Sequence, residues 1–256
     1  MKKLFLFPFL LLVVNVFAQD LDGAWKLTHL NGDQVTEEEW VKIYQDGYFA
    51  FGAKTADTTH HFIGAGGGVY EKDGENGYSE TFDFHTKDPE KIGTTTAYNM
   101  DFVGEKMVLT YNQKGSNVIE IWEKISDRDD DLNGTWVITG RKRDGELRTM
   151  TPGARRTVKI LGGGRFQWIA FNSETKEFSG TGGGNYTAQN GKYTEYIEFF
   201  SRDDSRVGAS LGFDYEVKDG EWHHSGLSSK GDPIYEIWSN YRDAYLEQNE
   251  DIKDQK

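Results

Sequence analysis

A nine-residue pattern occurs twice in this chain: Phe62-x-Gly64-x-Gly66-Gly67-Gly68-x-Tyr70 and Phe178-x-Gly180-x-Gly182-Gly183-Gly184-x-Tyr186. Phe, three alternate glycines and Tyr share one parity, and in a strand equal parity means one face. Such a face carries a ring at each end and no side chain between. Glycine weakens a strand, so a row of it implies close approach by a ring, a backbone or a ligand. Its recurrence implies a duplicated unit.

The duplication extends over most of the chain. Asp22-Gly23-Ala24-Trp25 corresponds to Asn133-Gly134-Thr135-Trp136, Lys42-Ile43 to Lys159-Ile160, and Tyr78-Ser79-Glu80 to Tyr193-Thr194-Glu195. Met100-Asp101-Phe102 aligns with Phe213-Asp214-Tyr215, and Ile119-Glu120-Ile121-Trp122 with Tyr235-Glu236-Ile237-Trp238. A period above about 100 residues is too long for a solenoid unit, so each copy reads as a domain. The connector from Ser126 to Leu132 is short and acidic, which makes the two domains close neighbours.

Within each copy nearly everything reads as strand. Asn31-Gly32, Asp46-Gly47, Asp144-Gly145, Asn190-Gly191 and Asp219-Gly220 separate alternating runs, as hairpin turns do. About eight strands per copy suffice to close a small barrel. One short helix is expected at Thr36-Glu37-Glu38-Glu39, where Thr and Glu have capping-box spacing.

With Gly-x-Trp opening each copy, eight up-and-down strands and an export signal, the chain resembles the lipocalin-like (calycin) barrels, of the secreted bacterial kind. The expected fold is all-β: two tandem eight-stranded antiparallel up-and-down barrels and a short polar C-terminal tail. The resemblance implies that Trp25 and Trp136 plug the closed barrel ends. It also implies a late basic residue over each plug: Arg242 for Trp136, and Lys124 or Arg128 for Trp25.

Residues 1–18 read as a signal peptide. Lys2-Lys3 precede an apolar stretch, Leu4 to Val14, too short for a membrane span, and Val16-Phe17-Ala18 places cleavage before Gln19. No cysteine stands there to carry a lipid, so the expected location is secreted or periplasmic, without an anchor. The expected domains are 19–126 and 127–242, followed by a polar tail, 243–256. The chain has no cysteine at all, so its cores must hold by burial alone, and aromatics make up 14% of it. A net charge of −13 argues against nucleic acid and anionic membrane surfaces as partners. Every arginine lies at Arg128 or later, so the two halves differ in what they could hold.

Turn geometry predicts the interior. Asn190-Gly191 pairs Gln189 with Lys192, which sets Tyr186 beside Glu195, Gly184 beside Ile197 and Gly182 beside Phe199. Phe166 and Trp168 should flank Gly182 and Gly180. Glu195 then shares a face with Ile197 and Phe199, and Glu80 with Phe82 and Phe84, so each barrel holds an inward carboxylate that needs a partner. Asp219-Gly220 similarly sets Trp222 and His224 inward with Tyr215 and Phe213, where the first copy has Met107 and Leu109. Each barrel is therefore expected to bury a ligand, mainly the second, with Trp168, Tyr186, Tyr193, Glu195, Tyr215, Trp222 and His224 lining its site.

His60-His61 and His223-His224 cannot chelate one ion, because neighbours in a strand face opposite ways. Asp129-x-Asp131-x-Asn133-Gly134 lacks the acidic close of a calcium loop. No phosphate loop, nucleophile elbow or cofactor motif is present. The expectation is a non-enzymatic binding protein for a small hydrophobic or aromatic ligand, with no cofactor and no membrane span. The alternatives are filled barrels that dock an envelope protein or a glycan, and a hydrolase or isomerase using Glu195 and His224.

Overall fold

Turns with two consecutive left-handed residues fix the hairpins. At Asn190-Gly191 (φ 54° and 72°) and Asp219-Gly220 (φ 54° and 78°) the flanking strands pair in the expected register. The computed structural model describes residues 21–74, 76–228 and 231–246. The expected signal peptide and the end of the tail lie outside them.

The first barrel comprises β1 (Gly23–Leu30), β2 (Asp33–Gln34), β3 (Glu38–Gln45), β4 (Tyr48–Thr55), β5 (Phe62–Asp73), β6 (Gly77–His85), β7 (Thr95–Val103), β8 (Lys106–Gln113) and β9 (Ser116–Ser126). The second comprises β10 (Gly134–Arg143), β11 (Glu146–Thr149), β12 (Arg155–Gly162), β13 (Arg165–Asn172), β14 (Glu177–Gln189), β15 (Lys192–Phe200), β16 (Ser210–Lys218), β17 (Glu221–Leu227) and β18 (Pro233–Asn240). Every strand pair is antiparallel, and β1 with β9 and β10 with β18 close eight-stranded barrels. The short β2 and β11 fold back on β1 and β10 as overhanging hairpins. The helix expected at Thr36–Glu39 is instead the entry to β3. Glu38 and Glu39 pair with Thr55 and Lys54, so the sheet ladder takes the backbone groups that a cap would have used.

The glycine rows lie in β5 and β14, and rings cover them as expected. A side chain at Gly66 would meet the Phe51 ring at 2.6 Å, and one at Gly182 the Trp168 ring at 2.8 Å. At Gly68 and Gly184 the obstacle is backbone: an added Cβ would lie 1.9 Å from the Thr81 carbonyl and 2.0 Å from that of Tyr196. These tight approaches are β-bulges, at Gly67/Gly68 and Gly183/Gly184.

The bulges correct the predicted interior. Gly184 pairs with Ile197 as expected, but Gly182 pairs with Phe200 instead of Phe199. Phe166 and Trp168 lie opposite Gly184 and Gly182, two residues from the expected partners but on the same face. Phe199 and its counterpart Phe84 are turned outward, while Phe200 and His85 face in. The pairing also shifts one alignment. Tyr98 sits opposite Tyr78 as Phe213 sits opposite Tyr193, so Tyr98 and Met100 correspond to Phe213 and Tyr215.

The outward rings build a third core between the barrels. Ile43, Ala50, Phe84, Ile160, Ile169 and Phe171 are all buried there. Phe84 packs on Phe171 at 5.5 Å, and Phe199 stacks on Phe62 at 6.0 Å. Gln167 Nε2 donates to the Phe51 carbonyl at 3.2 Å, and Arg156 reaches Asp83 at 3.2 Å. The short helical turn Arg242–Leu246 begins the tail and docks on this seam, where Tyr241 stacks on Tyr245 and donates to Asp83.

The contacts also fix direction. The turn at Gly162–Gly163 meets Gln45 and Ala24 at the plugged end of the first barrel, while Asp204 meets His61 at the opposite end. Both mouths therefore open on one side.

Gly52 sits under Phe199, 2.4 Å from where a Cβ would stand. Gly52→Val should lower stability by about 1–3 kcal/mol through overpacking. Phe199→Ala alone should cost about 3–5 kcal/mol, and the double variant should be more stable than the sum of the two losses. Urea unfolding of the four proteins measures this, and strict additivity would contradict the contact.

Candidate functional site

Each barrel is plugged at one end by its Gly-x-Trp tryptophan. Trp25 Nε1 donates to the Leu21 carbonyl at 2.8 Å and Trp136 Nε1 to the Leu132 carbonyl at 2.9 Å. Lys124 lies over the Trp25 ring at 5.3 Å, as the resemblance implied. The expected cation over Trp136 is corrected. Asn240 stands opposite Trp136 where Lys124 stands opposite Trp25, and the Trp136 ring packs on Trp222 at 5.9 Å. The guanidinium of Arg242 lies instead by Gly47 of the first barrel.

Above the plugs, the inward carboxylates have partners that sequence reasoning missed. Lys42 Nζ lies 2.7 Å from Glu80 Oε1, and Lys159 Nζ lies 2.7 Å from Glu195 Oε1. All four side chains are 6% exposed or less. Aromatic faces surround both ammonium groups: Trp122 lies 4.8 Å from Lys42, and Trp222 and Trp238 each 5.2 Å from Lys159. Tyrosines complete the carboxylates' hydrogen bonds. Tyr78 and Tyr98 donate to Glu80 at 2.8 and 2.9 Å, and Tyr193 to Glu195 at 2.9 Å. Burial opposes charge on Lys42, but the Glu80 carboxylate overrides it and holds the lysine pKa above its usual value. The visible signal was the repeated Lys-Ile at 42–43 and 159–160, with lysine on the inward parity.

Beyond this floor the two interiors diverge. The first barrel keeps an open cavity of about 330 Å³ above Lys42 and Glu80. Leu27, Val35, Phe51, Phe82, Val118 and Trp122 form apolar walls. Trp40, Tyr98 and Tyr111 add rings, and Glu120, His85 and Lys91 bring polar groups. Glu120 accepts from Tyr111 and from Trp122 Nε1, each at 2.9 Å. Burial, reinforced by the Lys91 charge, pushes the His85 pKa down to about 4, so this ring is neutral at pH 7.

In the second barrel the floor around the ion pair is bulkier, and the recess stays at the mouth. Trp222 and His224 replace Met107 and Leu109, and Phe213 replaces Tyr98. Trp222 stacks on Trp238 at 5.6 Å and meets Tyr193 edge-on at 5.3 Å, while His224 packs on Phe213 at 4.2 Å.

The predicted site residues therefore do come together, but as packing. Tyr193, Trp222 and His224 are each at most 2% exposed. Tyr186 faces Glu195 across the strands, yet its hydroxyl donates to Asp130 and Asn133 at the plugged end. Tyr215 likewise reaches Asp131 at 2.8 Å, so these tyrosines tie down the acidic connector. Trp168 covers Gly182 and packs against Phe200. His224 Nδ1 lies 3.5 Å from Glu236 Oε2, and burial lowers its pKa despite that neighbour. Glu236 pairs with Arg141 at 2.6 Å; burial opposes its charge, but His224 and Arg141 hold its pKa down to about 2. Among the described residues no group of three side chains is arranged to hold a metal, and no helix is long and apolar enough to cross a membrane.

The plugged, closed, eight-stranded antiparallel barrels fit a calycin-like fold, here in tandem. Residues 20–130, the first barrel with the start of the connector, match the family described as Domain of unknown function (DUF4488). No curated protein matches the chain in sequence. Among solved structures, the uncharacterized protein YLR301w from Saccharomyces cerevisiae is similar at 10% identity and a TM-score of 0.45. The match covers 85% of this chain and 98% of that one.

Glu80→Gln leaves an ammonium buried without its anion and should cost about 3–5 kcal/mol. Lys42→Met with Glu80→Leu should recover part of the loss, because neither desolvated charge remains although Tyr78 and Tyr98 lose their acceptor. Chemical denaturation of both variants decides this. Stability should also fall as pH drops from about 6.5 to 4, since the unfolded chain takes up a proton that folded His85 refuses. The contribution is fully present above the unfolded pKa and is lost on the way down to the folded one. Urea midpoints across that range should change less steeply in His85→Gln.

Proposed function

We propose that this protein is an extracytoplasmic, non-enzymatic binding protein whose first barrel holds a small apolar or aromatic ligand. One observation carries the reading: the first barrel keeps an aromatic-walled cavity of about 330 Å³ that reaches down to its Lys42–Glu80 pair, whereas the second is packed around Lys159 and Glu195 and recessed only at its mouth. That volume lies at the lower end of small-molecule sites, roughly 300–1,000 Å³. The chemistry of the walls matches a flat or branched apolar body. The Lys42–Glu80 pair and Glu120 offer fixed polar groups to one polar substituent. The ligand thus belongs in the first barrel, where the sequence placed it mainly in the second.

The docking reading, which needs no interior space, fits only the second barrel, whose core is packed around Lys159 and Glu195. The acid–base reading lacks an observation in its favour. Glu195 is engaged by Lys159 and Tyr193, and His224 is sealed in aromatic packing. Export rests on the residues before Gln19 and is part of the proposal.

The neutral fluorophore N-phenyl-1-naphthylamine should bind the intact protein with enhanced emission. Val118 lines the cavity, so Val118→Phe should suppress this by at least tenfold in affinity while leaving the thermal midpoint near wild type. Equal binding by both proteins, or none by wild type, would overturn the first-barrel reading.

A further inference from the structure

We infer that the mouth of the second barrel is a separate site for a small organic anion carrying at least two carboxylate or phosphate groups. A cavity of about 430 Å³ lies where residues 150–152 approach the open ends of β12, β13 and β14. Five arginines line it: Arg141, Arg143, Arg155, Arg156 and Arg202. Such convergence stands out in a chain of net charge −13.

The five divide by how they are satisfied. Arg156 is the fixed wall: it pairs with Asp83 and donates to Tyr241, Ser173 and the Gly153 and Ala154 carbonyls. Arg202 is braced on the Ser179 carbonyl, with no carboxylate paired to it among the described residues. Arg141 spends one Nη on Glu236, and its buried Nε has no hydrogen-bond partner. Arg143 and Arg155 are exposed and have neither ion pair nor hydrogen bond among the described residues. Among the described residues the acids ion-paired with these arginines are Asp83 and Glu236, each matched by one arginine, while Glu146 stands opposite Arg143 in the β10–β11 ladder without an ion pair to it.

Like charges gathered around one concavity repel, and a bound anion relieves that repulsion. Guanidinium forks suit carboxylate and phosphate oxygens through paired N–H donors, which point-charge lysines do not offer. Ile138, Met150 and Pro152 add apolar surface beside the charges, so the anion has room for a carbon body. The first barrel has Leu30 where the second has Arg141, so the two mouths differ in charge. This inference does not depend on the first barrel holding a ligand.

Isothermal titration of the full chain with citrate and with pyrophosphate, at constant ionic strength set by sodium chloride, tests it. At least one of the two should bind with a Kd below about 1 mM. The double variant Arg143→Gln/Arg155→Gln removes no internal contact, so it should keep its thermal midpoint and bind at least tenfold more weakly. Binding of citrate alone assigns a carboxylate ligand, and binding of pyrophosphate alone a phosphate one. Heat no greater than that of matched sodium chloride, or unchanged affinity in the double variant, would overturn the proposal. N-phenyl-1-naphthylamine binding should be the same in the double variant and wild type, which separates this site from the first-barrel cavity.

Discussion

The buried lysine–glutamate pair governs how each barrel can be built. Two charges removed from water must face each other and must satisfy their remaining hydrogen bonds, or the fold loses several kcal/mol. Lys42 and Glu80, like Lys159 and Glu195, meet from β3 and β6, or β12 and β15, which are not neighbours in the sheet. The ion pair therefore spans the barrel interior and ties opposite walls together. Its need for donors explains the tyrosines around it. Its need for cation-tolerant packing explains the tryptophan faces against both ammonium groups. The residues above the pair are then free to differ, and they do. Trp40, Phe51, Phe82 and Tyr98 wall a cavity over the pair in one copy, whereas Phe213 and His224 pack beside it in the other.

Much of this was legible from residues alone. The Asn-Gly and Asp-Gly turns fix register, and register with parity correctly set Tyr186 against Glu195 and put Tyr215 and His224 on one face. Barrel number and strand direction followed from the repeat. Three things were not legible, each for a physical reason. A bulge inserts one residue without any change in composition, so Phe84 and Phe199 swap faces silently. Lysine is so seldom buried that nothing singled out Lys42 and Lys159 as interior partners, although an inward carboxylate required something like them. Whether an interior is full depends on volumes contributed by all eight strands together. A polar substitution such as His224 thus looked like an opening when its ring was filler.

The glycine rows gain a definite meaning from the same facts. Gly66 and Gly182 make room for rings that recover strand packing, while Gly68 and Gly184 allow backbone crossings that no side chain would permit. The crossings turn one phenylalanine per barrel toward the other barrel. The motif that marks the duplication is thus also what joins the copies. Gly52, under the Phe199 ring, shows the joint to be fitted as closely as a barrel interior.

Both mouths open on the same side of a rigid seam, and this bears on any molecule that touches both. A ligand or partner seated at one mouth holds the rest of itself at a fixed distance from the other. Its second contact is then made at an effective concentration set by the protein's geometry rather than by the surrounding solution. Two individually weak recesses of unlike chemistry, one aromatic and one cationic, would then act on such a molecule as a single strong and selective one.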